Sequence, residues 1–294
     1  MGDTIIMASI DKDKEMKEKV AVVTGSSSGI GLETALTLAR NGYLTYATMR
    51  NLAKSDNIKA VADKDHPPIR IVQLDVSDDT SVNNAVKSII RETGRIDILV
   101  NNAGYALSGA FEDLSLQEIR NQYDTNFYGV IRTTQAVLPI MRKQRSGRII
   151  NISSGLGLFG FPGMSAYSST KFAIEGLSES MAYELDQFGI KVILIEPGVI
   201  RTNMGNSIVI AKKVHDSSSP YSQMMQKMGN NFKKFTQNAS SVDVVTNVVL
   251  EAATSEKPRF RYLAGKDIEM WIQSKNSMSD DEFYNLMKKE LAIV

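Results

Sequence analysis

Val20-Ala21-Val22-Val23-Thr24-Gly25-Ser26-Ser27-Ser28-Gly29-Ile30-Gly31-Leu32 is the stretch that decides the fold. A short β-branched apolar run enters a turn rich in glycine and serine, and a segment of helical period, Gly31–Asn41, leaves it. Glycine is needed where a chain turns sharply, lets its N–H groups approach an anion, and packs a helix closely on a strand. An anion held there sits at the positive end of the helix. Gly25, Ser27, Ser28, Gly29, Ile30 and Gly31 are therefore expected to form a phosphate-binding turn.

Outward from this turn, apolar runs alternate with helical segments. Lys19–Thr24, Tyr43–Arg50, Ile69–Asp75, Ile96–Asn101, Arg148–Ser153 and Lys191–Glu196 read as strands, and Arg261–Ala264 as a final one. Their nearly continuous apolar character predicts burial on both faces, as in a parallel sheet. Helices are predicted over Gly31–Asn41, Ser81–Thr93, Ser115–Arg142, Ala166–Gln187 and Ser241–Ala253. The alternation implies an α/β fold, a doubly wound, mostly parallel sheet flanked by helices. Residues 1–18 are expected to be a flexible tail and 19–294 a single domain. Within it, residues 203–240 carry no strand pattern, are polar, and include Met204, Met224, Met225 and Met228, which predicts a lid-like insertion.

Composition narrows the function. The chain has no cysteine, which excludes disulfides, a thiol nucleophile and cysteine-ligated metal. It fits a cytoplasmic protein. A net charge of +1 gives no global field for nucleic acid, and apolar runs such as Val192 to Ile195 are too short to span a bilayer. The two histidines, His66 and His215, sit in loops, no His/Asp/Glu cluster has metal-ligand spacing, and no G-x-x-x-x-G-K-[ST] motif supports ATP binding. No metal is expected.

The glycine spacing is T-G-x-x-x-G-x-G rather than G-x-G-x-x-G. With the ordered motifs that follow, it resembles the short-chain dehydrogenase/reductase family in its single-domain Rossmann branch, over about residues 19–203. The resemblance implies a nicotinamide cofactor. An NAD site places a carboxylate roughly 20 residues after the glycines. Here Ala47-Thr48-Met49-Arg50-Asn51 offers none: Met49 stands where the family's NAD-specific members carry Asp, and Arg50 follows. A guanidinium forks well onto a phosphate, so NADP(H) is expected. By resemblance, Asp75 and Val76 contact the adenine, Asn102, Ala103 and Gly104 lie along the cofactor, and Pro197, Gly198, Ile200 and Thr202 form the loop at the nicotinamide.

Tyr167 and Lys171, four residues apart, share one face of a predicted helix. Ser154 precedes Tyr167 by the family's thirteen residues, and Asn126 matches its fourth catalytic position. Reducing a carbonyl needs a hydride on carbon and a proton on oxygen. Tyrosine ordinarily titrates near 10, and bringing it to about 7 takes roughly 4 kcal/mol. Lys171 and an oxidised nicotinamide are expected to favour the phenolate. Ser154 is expected to stabilise charge on the substrate oxygen. By resemblance, Lys171 also holds the nicotinamide ribose and Asn126 anchors a relay water.

Leu156, Leu158, Phe159, Phe161, Pro162 and Met164 are expected to wall the substrate cleft, which implies a hydrophobic ketone, aldehyde or secondary alcohol. The helical tail after Gly265 resembles the hydroxysteroid and retinol dehydrogenase-like members. A 3-oxoacyl-carrier-protein reductase, a two-domain epimerase or dehydratase, and a non-enzymatic NADP(H) sensor are the alternatives. Family members often form dimers or tetramers through the two long helices, here Ser115–Arg142 and Ala166–Gln187.

Overall fold

A computed structural model describes residues 18–201, 208–237 and 239–291. In chain order the strands are β1 (Val20–Val23), β2 (Leu44–Met49), β3 (Ile69–Gln73), β4 (Ile98–Asn101), β5 (Ala106–Ser108), β6 (Gly147–Ile152), β7 (Ile190–Pro197), β8 (Ile200–Arg201), β9 (Ile208–Ile210), β10 (Ser240–Ser241) and β11 (Arg261–Ala264). The helices are α1 (Gly29–Arg40), α2 (Asp56–Asp65), α3 (Asp79–Thr93), α4 (Leu116–Tyr123), α5 (Gly129–Gln144), α6 (Ser165–Asp186), α7 (Ser222–Gln237), α8 (Val242–Thr254), α9 (Lys266–Ser277) and α10 (Asp280–Glu290).

Seven strands form one sheet in the order β3-β2-β1-β4-β6-β7-β11, and every pairing in it is parallel. The chain winds one way from β1 to β3 and the other way from β4 onward, so the switch point lies between β1 and β4. Alternate residues of β1 serve opposite faces. Ala21 and Val23 join Ala35 and Leu38 of α1 and Val245 and Val249 of α8. Val20 and Val22 join Val86 and Ile89 of α3, Val137 and Met141 of α5, and Leu185 of α6. With both faces covered, the strands need apolar residues at every position, hence the unbroken runs in the sequence. Each such side chain contributes about 1.5–3 kcal/mol on burial.

Two predicted elements take a different form. The helix expected over Ser115–Arg142 is two helices joined by a π-helical turn, Asp124–Tyr128. Its Asn126 is buried and held to the backbone of Tyr105, and that tertiary contact has no local sequence signature. Residues 203–240 are not strandless: β9 pairs in parallel with β5, Leu107 opposite Val209, and α7 follows. A three-residue strand is too short to read as a period. Helix α2 was not anticipated either, because its sequence, DNIKAVADKD, is mostly polar. The final strand lies at Arg261–Ala264, where the sequence placed it.

After β11, α9 and α10 fold back. Ile268, Phe283, Met287 and Leu291 pack around Phe159, whose ring meets that of Phe283 edge-on at 5.7 Å. Among the described residues no helix is long and apolar enough to cross a membrane, and no group of His, Cys, Asp and Glu could hold a metal ion. Residues 1–17, the bulk of the expected tail, lie outside the described residues.

Ile150 sits fully buried in β6, between β4 and β7. Ile150→Ala should lower the unfolding free energy by about 2–5 kcal/mol, read from denaturant titration.

Candidate active site

The turn after β1 has the shape an anion site requires. Gly25 and Gly29 adopt φ values of +68° and +59°, which side chains rarely tolerate. A Cβ on Gly25 would come within 2.8 Å of the Ala103 Cα, and one on Gly31 would overlap Asn102 Nδ2 and the Gly25 carbonyl. Ser28 is the N-cap of α1, but its hydroxyl makes no capping bond, and the first turn of α1 holds no acid. The helix amides are thus left to an outside anion. A phosphate-bearing dinucleotide fits this cradle, with Ser27 and Ser28, both half-buried, as hydroxyl donors.

The loop after β4 lies against the same turn. The Thr24 hydroxyl accepts the amides of Asn102 and Ala103, each at 3.0 Å. Asn102 Nδ2 donates back to the Thr24 and Gly25 carbonyls at 2.9 and 3.2 Å. At the end of β2, Met49 turns into the core while Arg50 is exposed. The Arg50 charge is felt at Tyr105, where it opposes the upward push of burial on the phenol. Beyond β3, the Asp75 carboxylate accepts from the Ser77 amide and hydroxyl at 3.0 and 2.6 Å, and Val76 is buried.

The four expected catalytic residues come together. Ser154 lies two residues past β6, and its hydroxyl accepts the Leu156 amide at 3.1 Å, which leaves its proton free to donate. Its neighbourhood favours the ionised form of the half-buried Tyr167 phenol. Lys171 is buried one turn along α6, where Nζ donates to the Ile152 carbonyl at 2.8 Å and lies 5.6 Å from the Tyr167 ring centre. Asn126 donates from Nδ2 to the Tyr105 carbonyl at 2.8 Å and to the Thr170 hydroxyl at 3.3 Å, and accepts the Tyr105 amide at 3.0 Å.

In the protein alone, burial sets the direction at Tyr167. Burial raises the Tyr167 phenol above its ordinary value, and the Ser154 hydrogen bond only partly opposes this. Lys171 aims its ammonium at a carbonyl rather than at the phenol, so in the protein by itself the neutral phenol is favoured. Burial also pushes Lys171 down to about 8, with Glu175 opposing.

The apolar wall also needs correction. Phe159 is core, and Leu156, Leu158 and Phe161 pack partly buried against the same cluster with α9 and α10. Helix α7 approaches this segment at Gly163, where a Cβ would lie 3.2 Å from the Met225 Cε and 3.3 Å from the Met228 Cε. After β7, Gly198 donates to the Ala264 carbonyl at 3.0 Å, and Ile200 is buried. Thr202 and Met204 lie outside the described residues. Sequence reading missed Asp267, whose Oδ2 accepts the Val199 amide at 2.7 Å and whose carboxylate fills the space over Gly198. Nothing local marks an acid so far along the chain as a brace for this loop. It also missed Glu175, Glu196 and Arg261, clustered behind Lys171.

Comparison with known proteins agrees with this geometry. The sequence profile of the family described as short chain dehydrogenase matches residues 19–213. The chain is 35% identical to a 3-ketodihydrosphingosine reductase of Bacteroides thetaiotaomicron, over 95% of this chain and 98% of that one. It is 42% identical to human retinol dehydrogenase 8, over 65% of this chain and 62% of that one. Its fold matches the crystal structure of a short-chain dehydrogenase from Streptomyces avermitilis, with TM-score 0.80, 31% identity, and coverage of 93% and 97%. It also matches ElxO with NADP bound, with TM-score 0.73, 28% identity, and coverage of 86% and 99%.

Gly31→Ala should force Asn102 and the Gly25 carbonyl apart. Dinucleotide binding, followed by fluorescence titration, is expected to weaken roughly tenfold or more, about 1.4 kcal/mol.

Proposed function

The chain belongs to the short-chain dehydrogenase family and is an oxidoreductase acting on CH–OH/C=O groups, and we propose that it transfers a hydride between NADP(H) and a hydrophobic ketone, aldehyde or secondary alcohol, with Tyr167 as the general acid and base. One observation carries the reading: the Ser154 hydroxyl, just past β6, acts on the half-buried Tyr167 phenol and favours its ionised form, with Lys171 buried one turn further along α6 and held to the Ile152 carbonyl. All three stand at the carboxyl ends of the strands, where open α/β sheets bind ligands.

When bound, the cofactor supplies the hydride and, in its oxidised form, a positive charge. The protein does the rest. The neutral phenol of Tyr167 is the form that donates a proton to a carbonyl oxygen, and the Ser154 hydroxyl donates to the same oxygen as charge builds there. In alcohol oxidation the phenolate form of Tyr167 takes the proton, and a nearby positive charge favours that phenolate. The Asn126 side chain is committed to Tyr105 and Thr170, so it braces the β4 loop against the catalytic helix.

Two features support NADP(H) over NAD(H). Arg50 is exposed at the ribose end of the cleft, and the neighbouring Met49 is buried, so no acid meets the 2′ position. ElxO, which resembles the chain in fold, binds NADP. An apolar substrate is supported by the methionines of α7 over Gly163 and by relatives named for 3-ketodihydrosphingosine and retinol. In this reading the described part of the 203–240 segment, residues 208–237, forms the lid, latched by the β5–β9 pairing. Exposed Phe172 and Tyr183 on α6 support association of copies through that helix.

Tyr167→Phe should lower kcat by about 10²–10⁴-fold with NADPH binding retained, measured by absorbance at the reduced-nicotinamide band over a panel of apolar ketones and aldehydes. Turnover unchanged by this substitution would remove Tyr167 from the chemistry. Arg50→Asp should raise KM for NADPH by roughly tenfold or more and leave NADH equal or favoured. Equal use of both cofactors by the unaltered protein would sink the assignment.

A further inference from the structure

Tyr167, Lys171 and Glu175 follow one another at four-residue spacing on one face of α6. Glu175 is buried, and so is Glu196 of β7, at 1% exposure. Arg261 of β11 places Nε 3.2 Å from Glu175 Oε2 and 3.2 Å from Glu196 Oε1, and Nη2 3.3 Å from Glu179 Oε2 at the surface. Both carboxylates therefore converge on one guanidinium nitrogen, buried side by side against it. Oε1 of each is buried and accepts no hydrogen bond among the described residues.

Two carboxylates this close in a dry site do not both ionise. Arg261 is shared with a third acid and Lys171 acts on Glu175, so Glu196 has no cation to itself. A single proton between them resolves both problems: it removes one charge and gives a buried oxygen its partner. Burial and the neighbouring Glu175 push Glu196 up to about 8, so the proton resides there at neutral pH. Glu175 is also raised by burial, but Ser153, Arg261 and Lys171 favour its ionised form.

We infer that Glu175 and Glu196 form a one-proton carboxyl pair clamped by Arg261, and that the charge left on Glu175 keeps buried Lys171 an ammonium. Glu175 is then a positioning residue that acts through Lys171 and touches neither substrate nor cofactor. The charged groups facing this pair are Lys171 from α6 and Arg261 from β11, with Glu179 of α6 on the far side of the guanidinium. The end of β6 adds only the neutral Ser153 hydroxyl and the Ile152 carbonyl. The inference rests on the proposed function in requiring the ammonium for turnover.

The sign of the effect follows. Lys171 loses its proton as pH rises through a value that burial has already brought to about 8. Removing the charge on Glu175 leaves burial less opposed, so the loss moves to lower pH. The test is a titration of the Lys171 Nζ by heteronuclear NMR without cofactor, its signal assigned by disappearance in Lys171→Met, beside pH profiles of kcat/KM with NADPH. Glu175→Gln should shift the Lys171 titration, and the alkaline limb with it, down by about one pH unit. Glu175→Asp, which keeps the charge, should restore much of the difference. Glu196→Gln, an amide for a neutral acid, should move it by less than half as much.

An unmoved Lys171 titration in folded Glu175→Gln, or equal shifts in Glu175→Gln and Glu196→Gln, overturns the inference. If Glu175→Gln fails to fold, the double variant Glu175→Gln/Glu196→Gln, whose two amides can pair, carries the same expectation of a downward shift. If the unaltered protein turns over no substrate, the proposed function fails while the NMR titration still decides the carboxyl pair.

Discussion

Four hydrogen bonds tie the loop after β4 to the turn after β1: two amides converge on the Thr24 hydroxyl, and Asn102 Nδ2 answers with bonds to two carbonyls. This junction lies at the switch point of the sheet. Strands diverge there, and the helices on either side leave room for an outside group. The close approach explains why Gly25 and Gly31 carry no side chain, since a Cβ on either would strike the opposite loop. It also leaves the amides at the start of α1 uncapped and directed outward.

A second polar seam runs beneath the catalytic helix. Asn101 Nδ2 donates to the Asn151 Oδ1 at 2.9 Å and to the Thr134 hydroxyl, its Oδ1 accepts from Thr133, and Asn151 donates to Ser178 of α6. These groups are buried, and each bond spares a desolvation cost of about 1–3 kcal/mol. The seam fixes α6 on β4 and β6, the strands whose ends present Asn102 and Ser154. Further along α6, Glu175 is buried against Arg261 of β11. The helix that places Tyr167 is therefore held by polar contacts of definite geometry, while its outer face stays exposed at Phe172 and Tyr183.

Electrostatics and packing divide the work at the site. Burial raises the Tyr167 phenol and lowers the Lys171 ammonium, so both neutral forms gain by the same cause. Polar neighbours then act selectively, Ser154 on the phenol and Glu175 on the ammonium. The apolar segment between Ser154 and Tyr167 is divided as well: Phe159 joins the C-terminal helices, and Gly163 meets the methionines of α7.

The sequence by itself determined the alternation of strands and helices, the glycine turn and the shared face of Tyr167 and Lys171, while Asn126 and Ser154 came from the family resemblance. These signals are local: continuous apolar runs mark strands buried on both faces, and four-residue spacing puts Tyr167 and Lys171 on one helical face. Arg261–Ala264 was legible for the same reason. What depends on partners distant in the chain was decided by the tertiary structure. The π turn at Asn126 exists because Tyr105 receives its side chain, β9 because β5 lies beside it, and the brace at Val199 because Asp267 arrives from α9. The direction of the Tyr167 shift belongs here too. Sequence shows that a lysine is near, but only the fold shows that its ammonium turns to the Ile152 carbonyl and that burial outweighs it. Desolvation is a property of the whole packed environment, and no spacing of residues encodes it.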